Sequence, residues 1–168
     1  MRSDFEVWLN QVAPRDELDP GVRPAGADRV LREIFDDRGP ISQEEVRAAG
    51  RRIQLGLAAH AVALVLRDLH ATTEARPNVD VRYDDEYGLV VSYNGGWTTP
   101  PMSAMRDPEA TAEIADYLQG EIVEDLWGGW PSCPAHSNGA HAETLGGDAV
   151  WYCRYGKHPV AVIGSLAP

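Results

Sequence analysis

The chain has 168 residues, 43% hydrophobic and 24% charged, the make-up of one globular domain long enough to bury a core of its own. Its 26 acids against 15 Lys and Arg give a net charge of −11, which opposes general binding to a phosphate backbone or an anionic membrane surface. No apolar run reaches the roughly 20 residues of a membrane span, and the N-terminus has no basic stretch leading into an apolar one, so a cytoplasmic protein is expected. Lys157 is the one lysine.

Phe5, Trp8, Leu9 and Val12 recur at helical spacing. The stretch 13–26, with Pro14, Pro20 and Pro24, reads as a loop or ordered arm. Asp28 can cap a short helix bearing Val30, Leu31, Ile34 and Phe35, ended by Gly39-Pro40. Ser42 and Glu45 have capping-box spacing, so a long helix should start there and run toward Thr73. Two apolar stripes run along it: Val46, Ile53, Leu57, Ala61 and Leu64, then Leu55, Ala58, Val62, Leu66 and Leu69. Such a helix is covered on more than one side, by the core of its own chain or, alternatively, at a homodimer seam formed by 42–73.

Val79 to Tyr83 alternates, Asp84 to Gly88 turns and Leu89 to Tyr93 extends, which predicts a β-hairpin. The three acids of its turn read as a solvated turn, because a calcium loop spreads its ligands over alternate positions. Asn94-Gly95-Gly96 should end the second strand, with 97–101 irregular. Asp107-Pro108-Glu109 is a helix start with Asp107 as cap. Ile114, Leu118, Ile122 and Leu126 then give an amphipathic helix that stops at Gly128-Gly129.

Both cysteines and three of the five histidines lie beyond that helix. Cys133 and His136 have the C-x-x-H spacing of a zinc knuckle, stiffened by Pro134. Cys153 closes an expected strand over 149–153, and a hairpin would return it to the knuckle. A fourth ligand is available in His141 or His158. Two thiolates and two neutral imidazoles on Zn²⁺ make a site of near-zero charge that tolerates burial. The competing readings are free core cysteines, a disulfide, or a catalytic thiol or metal. Trp127, Trp130, Trp151, Tyr152 and Tyr155 surround this segment, as a small satellite core around the ion or, alternatively, an exposed recognition patch.

Trp130-Pro131-x-Cys133-Pro134-x-His136, then His141, Val150-Trp151-x-Cys153 and Ile163-Gly164-x-Leu166 form an extended pattern. It resembles the C-terminal tail of a group of small actinobacterial and actinophage proteins. The resemblance covers about residues 107–168 and not the first 75. It implies a zinc-ribbon-like tail and no activity. It also implies His141 as the fourth ligand, because His158 has no counterpart in that pattern. Arg154 replaces the proline usual after the second cysteine.

No phosphate loop, dinucleotide fingerprint, zinc-protease motif or nucleophile elbow occurs. The expected architecture is a single α+β domain over 1–168: a helical half (1–76), a hairpin plus helix (77–127) and a zinc-stabilised hairpin (128–168). The expected metal ligands are Cys133, His136, His141 and Cys153, holding structural zinc. The expected role is that of a non-enzymatic accessory or regulatory protein acting by protein–protein contact. An immunity-type or phage-encoded inhibitor of a basic target, or a small cysteine- or metal-dependent hydrolase, is the alternative. The helix over 107–127 carries seven acids and no base, so the expected partner is a basic protein and not nucleic acid.

Overall fold

The structure is a computed structural model that describes residues 3–12, 27–98 and 104–167. The arm at 13–26 and residues 99–101 of the irregular stretch lie outside the described residues. The fold is α+β. Among the described residues, four helices, α1 (Asp4–Val12), α2 (Ala27–Arg38), α3 (Gln43–Thr72) and α4 (Asp107–Leu126), accompany two antiparallel three-stranded sheets. The first sheet is β1 (Val79–Asp84), β2 (Gly88–Tyr93) and β3 (Gly96–Thr98). The second is β4 (His141–Leu145), β5 (Asp148–Cys153) and β6 (His158–Val162). No helix among the described residues is long and apolar enough to cross a membrane.

The long helix begins as its sequence dictates. Ser42 Oγ accepts from the Glu45 N–H at 3.3 Å, and Glu45 Oε2 accepts from the Ser42 N–H at 2.9 Å, completing the capping box. The covered side of α3 runs through Ala58, Ala61, Val62, Val65 and Leu69, which face Ile114, Ala115, Leu118 and Ile122 of α4 across the main core. Leu57 and Leu64 of the first apolar stripe are only partly buried and flank that core. Small side chains at 58 and 61 let the neighbouring elements come close, so the larger leucines sit to either side.

Two other details differ from expectation. Helix α4 has Arg106 at its N-cap, with Asp107 already inside the first turn and accepting from the Thr111 hydroxyl. Residues 97 and 98 are not irregular, although β2 ends at Tyr93, just before Asn94-Gly95, as expected. With φ of 48° and 88°, Asn94 and Gly95 form the tight turn that folds Trp97 back opposite Ser92 in β3. In the β1–β2 turn, Asp84 Oδ1 accepts from the N–H groups of Glu86 and Tyr87. Those bonds hold its carboxyl below the usual carboxylate range.

Candidate metal centre

Two short loops build the site. In the first, the Cys133 N–H donates to Asn138 O at 2.8 Å and the Ala140 N–H donates to Pro131 O at 2.8 Å, so the chain doubles back on itself. Inside this loop the Ser137 N–H donates to Cys133 O, with Ser137 at φ 53°. That turn aims the Cys133 and His136 side chains the same way. In the second loop, Cys153 ends β5 and His158 begins β6, and the two are direct cross-strand partners. Partners across a ladder project from one face of the sheet. The intervening turn is tightened by the Gly156 N–H, 3.3 Å from Cys153 Sγ.

Together the loops gather Cys133, His136, Cys153 and His158, with one ligand atom from each lying within 4.8 Å of all the others. Cys133 Sγ is 3.4 Å from His136 Nδ1 and 3.6 Å from His158 Nε2, and Cys153 Sγ is 3.5 Å from His136 Nδ1. Ligands of a tetrahedral ion with metal–sulfur and metal–nitrogen bonds of ordinary length stand about 3.3–3.8 Å apart. These separations therefore fit one shared ion. No disulfide joins the cysteines; both are free and fully buried. Each histidine keeps one edge toward solvent.

The surroundings prepare the ligands. His158 Nδ1 lies 2.9 Å from Pro159 O, so Nδ1 carries the proton and Nε2 turns its lone pair toward the thiols. That bond is the main cause of a raised His158 pKa, opposed by burial and aided by Cys133. Burial pushes the Cys133 thiol up, but hydrogen bonds from His136, from the Ala135 backbone and from Cys153 outweigh it and bring the thiol to about 6. A thiolate is the form that binds metal. Gly156 lies against both imidazoles: a Cβ there would stand 2.2 Å from His136 Cε1 and 2.7 Å from His158 Cδ2.

Of the four ligands expected from the sequence, Cys133, His136 and Cys153 are brought together. His141 is not among the gathered residues; His158 takes the fourth place. The reason is strand alternation. His141 starts β4 opposite Tyr152, whereas Cys153, one residue on, belongs to the other face of β5. The aromatics also divide. Trp130 and Trp151 are buried in the main core, edge to face at 5.2 Å, and do not form a separate satellite. Trp127 is 95% exposed, and Tyr155 stands out beside His136.

One residue outside the metal cluster matters as much and carries no motif. Asp68 of α3 is fully buried. Its carboxylate accepts from Trp151 Nε1 at 2.7 Å, from the Gly164 N–H at 2.6 Å and from the Leu166 N–H at 2.8 Å. Gln119 of α4 donates to the carbonyls of Trp130 and Ala140, and Trp130 Nε1 donates to Thr72 Oγ1. The metal loops are thus tied to both long helices. A lone aspartate in a helical sequence gives no sign of burial, since its donors lie 83 to 98 residues further on. No family model matches the chain, and neither a curated protein nor a solved structure is similar to it.

Proposed function

We propose that the four-residue cluster is a structural zinc centre and that the protein works without catalysis, as an accessory or regulatory protein acting by protein–protein contact. The observation that carries this reading is the closed donor set: two buried thiols and two imidazoles at the mutual spacing of one tetrahedral ion. Mixed sulfur and nitrogen donors in a tetrahedron favour zinc over hard cations. Four protein ligands leave no coordination position for a reacting water, which speaks against a metal hydrolase. The pattern that resembles the actinobacterial and actinophage tails agrees with this assignment at Cys133, His136 and Cys153 and departs from it at the fourth ligand, where His158 stands in place of His141. Its non-ligand positions Trp151, Gly164 and Leu166 all donate to Asp68, as a structural module requires. The partner in this reading is a basic protein. It is suggested by helix α4, which carries acids and no Lys or Arg from Asp107 to Leu126.

Elemental analysis of protein purified without chelator tests the centre, with one zinc per chain expected. His158→Ala should lose the metal while His141→Ala keeps it. Protein without metal, or the opposite pattern in the two variants, would overturn the assignment. Salt-sensitive capture of a basic protein, and no shift of random duplex DNA at low salt, tests the partner.

A further inference from the structure

One edge of the first sheet is β1, whose outer side has no partner strand among the described residues. The ladder fixes which of its backbone groups face outward. The Asn94 N–H donates to Asn78 O, and the Asn78 N–H donates to Asn94 Oδ1, so residue 78 turns its backbone toward β2. Backbone direction alternates along an antiparallel strand. Asp80 and Arg82 therefore bond to Ser92 and Val90, their partners in β2, while the N–H and C=O groups of Val79, Val81 and Tyr83 point away from the sheet. Those outward groups make no hydrogen bond among the described residues. The side chains agree with an open edge: Leu89, Val91 and Tyr93 of β2 are buried, whereas Tyr83, Val81 and Val79 opposite them are half-buried.

Such an edge is a template for another strand, and charge selects which strand. Asp80 and Arg82 are exposed on one face of β1, and neither forms an ion pair among the described residues. Arg82 acts on the Asp84 carboxyl only from a distance. A second β1 laid antiparallel about a two-fold axis at Val81 sets Val81 against Val81, Val79 against Tyr83 and Asp80 against Arg82. All the outward groups are then paired. Asp80 and Arg82 meet at the closely spaced positions between hydrogen-bonded pairs, where side chains across a ladder interact most directly. An axis at Asp80 would set acid against acid, and one at Arg82 would set base against base and Asp80 against Asp84. An axis at Val79 or Tyr83 would run the strands off each other's ends, since β1 stops at Asp84. The two-fold axis leaves both α3 helices on one face of the joined sheet. Leu55 of α3 packs on the core with Val79, Val81 and Tyr83, and one and two turns further on Ala59 and Ala63 are exposed and small enough to let a second α3 come alongside.

We propose that the chain forms a homodimer in which two β1 strands pair about Val81, joining two three-stranded sheets into one of six, with the α3 helices side by side. This depends neither on the metal centre nor on a basic partner, and its failure would leave both readings untouched.

Sedimentation velocity on the full-length, metal-loaded protein tests it. Wild type should be dimeric, and less so as salt rises. Asp80→Lys and Arg82→Glu each set like charges against each other twice, and each should raise the dimer dissociation constant about tenfold or more. An equimolar mixture of the two single variants restores opposite charges at both positions, and so does the double variant Asp80→Lys/Arg82→Glu; both should dimerise again. Rescue in the mixture also shows that the single variants are folded. If wild type stays monomeric up to submillimolar concentration, the proposal is overturned. A dimer that neither single variant weakens lies on another face, which overturns pairing at β1. Single variants that are monomeric and that neither the mixture nor the double variant rescues overturn the register about Val81.

Discussion

The two ends of the molecule are held together by opposite means. Near the N-terminus, α1 and α2 meet through a thin aromatic cluster of Phe5, Trp8 and Phe35, with ring centroids 5.2–5.9 Å apart. Arg32 lies over Phe5, and one indole hydrogen bond runs from Trp8 to Ile41 O. Helix α2 has no fully buried residue. The C-terminal part has short strands and little apolar area of its own, yet Cys133, Trp151, Cys153 and Ile163 are almost wholly buried. Its specificity comes from directed contacts: four ligand atoms aimed at one point, and a buried carboxylate that takes three N–H groups. Apolar burial tolerates imprecision, because its strength follows area and not angle. Ligand and hydrogen-bond geometry does not, so the C-terminal part should fail abruptly and the N-terminal part gradually.

The sharpest break is at the ligands. Structural zinc contributes about 10–16 kcal/mol of apparent binding energy in small peptides. Cys133→Ser or Cys153→Ser should therefore release the metal and unfold the second sheet. Near-ultraviolet circular dichroism of Trp130 and Trp151 would report it. The next effect is at Asp68. Asp68→Asn removes the charge from three short hydrogen bonds and turns an amide N–H toward a donor, a loss of about 2–3 kcal/mol in chemical denaturation. A Gly156→Ala change should leave the fold standing but lower metal affinity about 10–100-fold in a chelator competition, as displaced ligand supports do elsewhere. Removal of the Ser42 cap should cost about 1 kcal/mol by denaturation and leave metal affinity untouched.

The same cap carries a pH signature. The Ser42 hydroxyl and N–H hold the Glu45 carboxyl below its ordinary value of 4.5. A depressed carboxyl stabilises the fold above its unfolded value and loses that contribution as pH falls through the folded one. Wild type and Glu45→Gln should thus differ in stability at neutral pH and converge in acid, in parallel thermal melts. If Asp68→Asn and Ser42→Ala proved equally mild, the contrast between directed and diffuse stabilisation would be lost.

Local signals were readable and distant ones were not. The capping box, the β1–β2 hairpin, the apolar period of α4 and the C-x-x-H loop are each complete within a few residues. Strand β3 differs: Asn94-Gly95 is a hairpin turn, but a strand of only three residues leaves almost no alternation to mark 97 and 98 as extended. The fourth ligand turned on one residue of register. His141 and His158 both flank Cys153, and only the pairing of Cys153 with His158 decides which imidazole shares its face. Asp68 was invisible because its burial depends on groups supplied by the far end of the chain.

That last dependence has a consequence during synthesis. The carboxylate of Asp68 waits for N–H groups 96 and 98 residues downstream. At cellular rates of 5–20 residues per second, it is left without them for about 5–20 s after it is made. All four members of the metal cluster precede Gly164 in the chain. An ion can therefore meet its complete set of donors before the clasp on α3 can close.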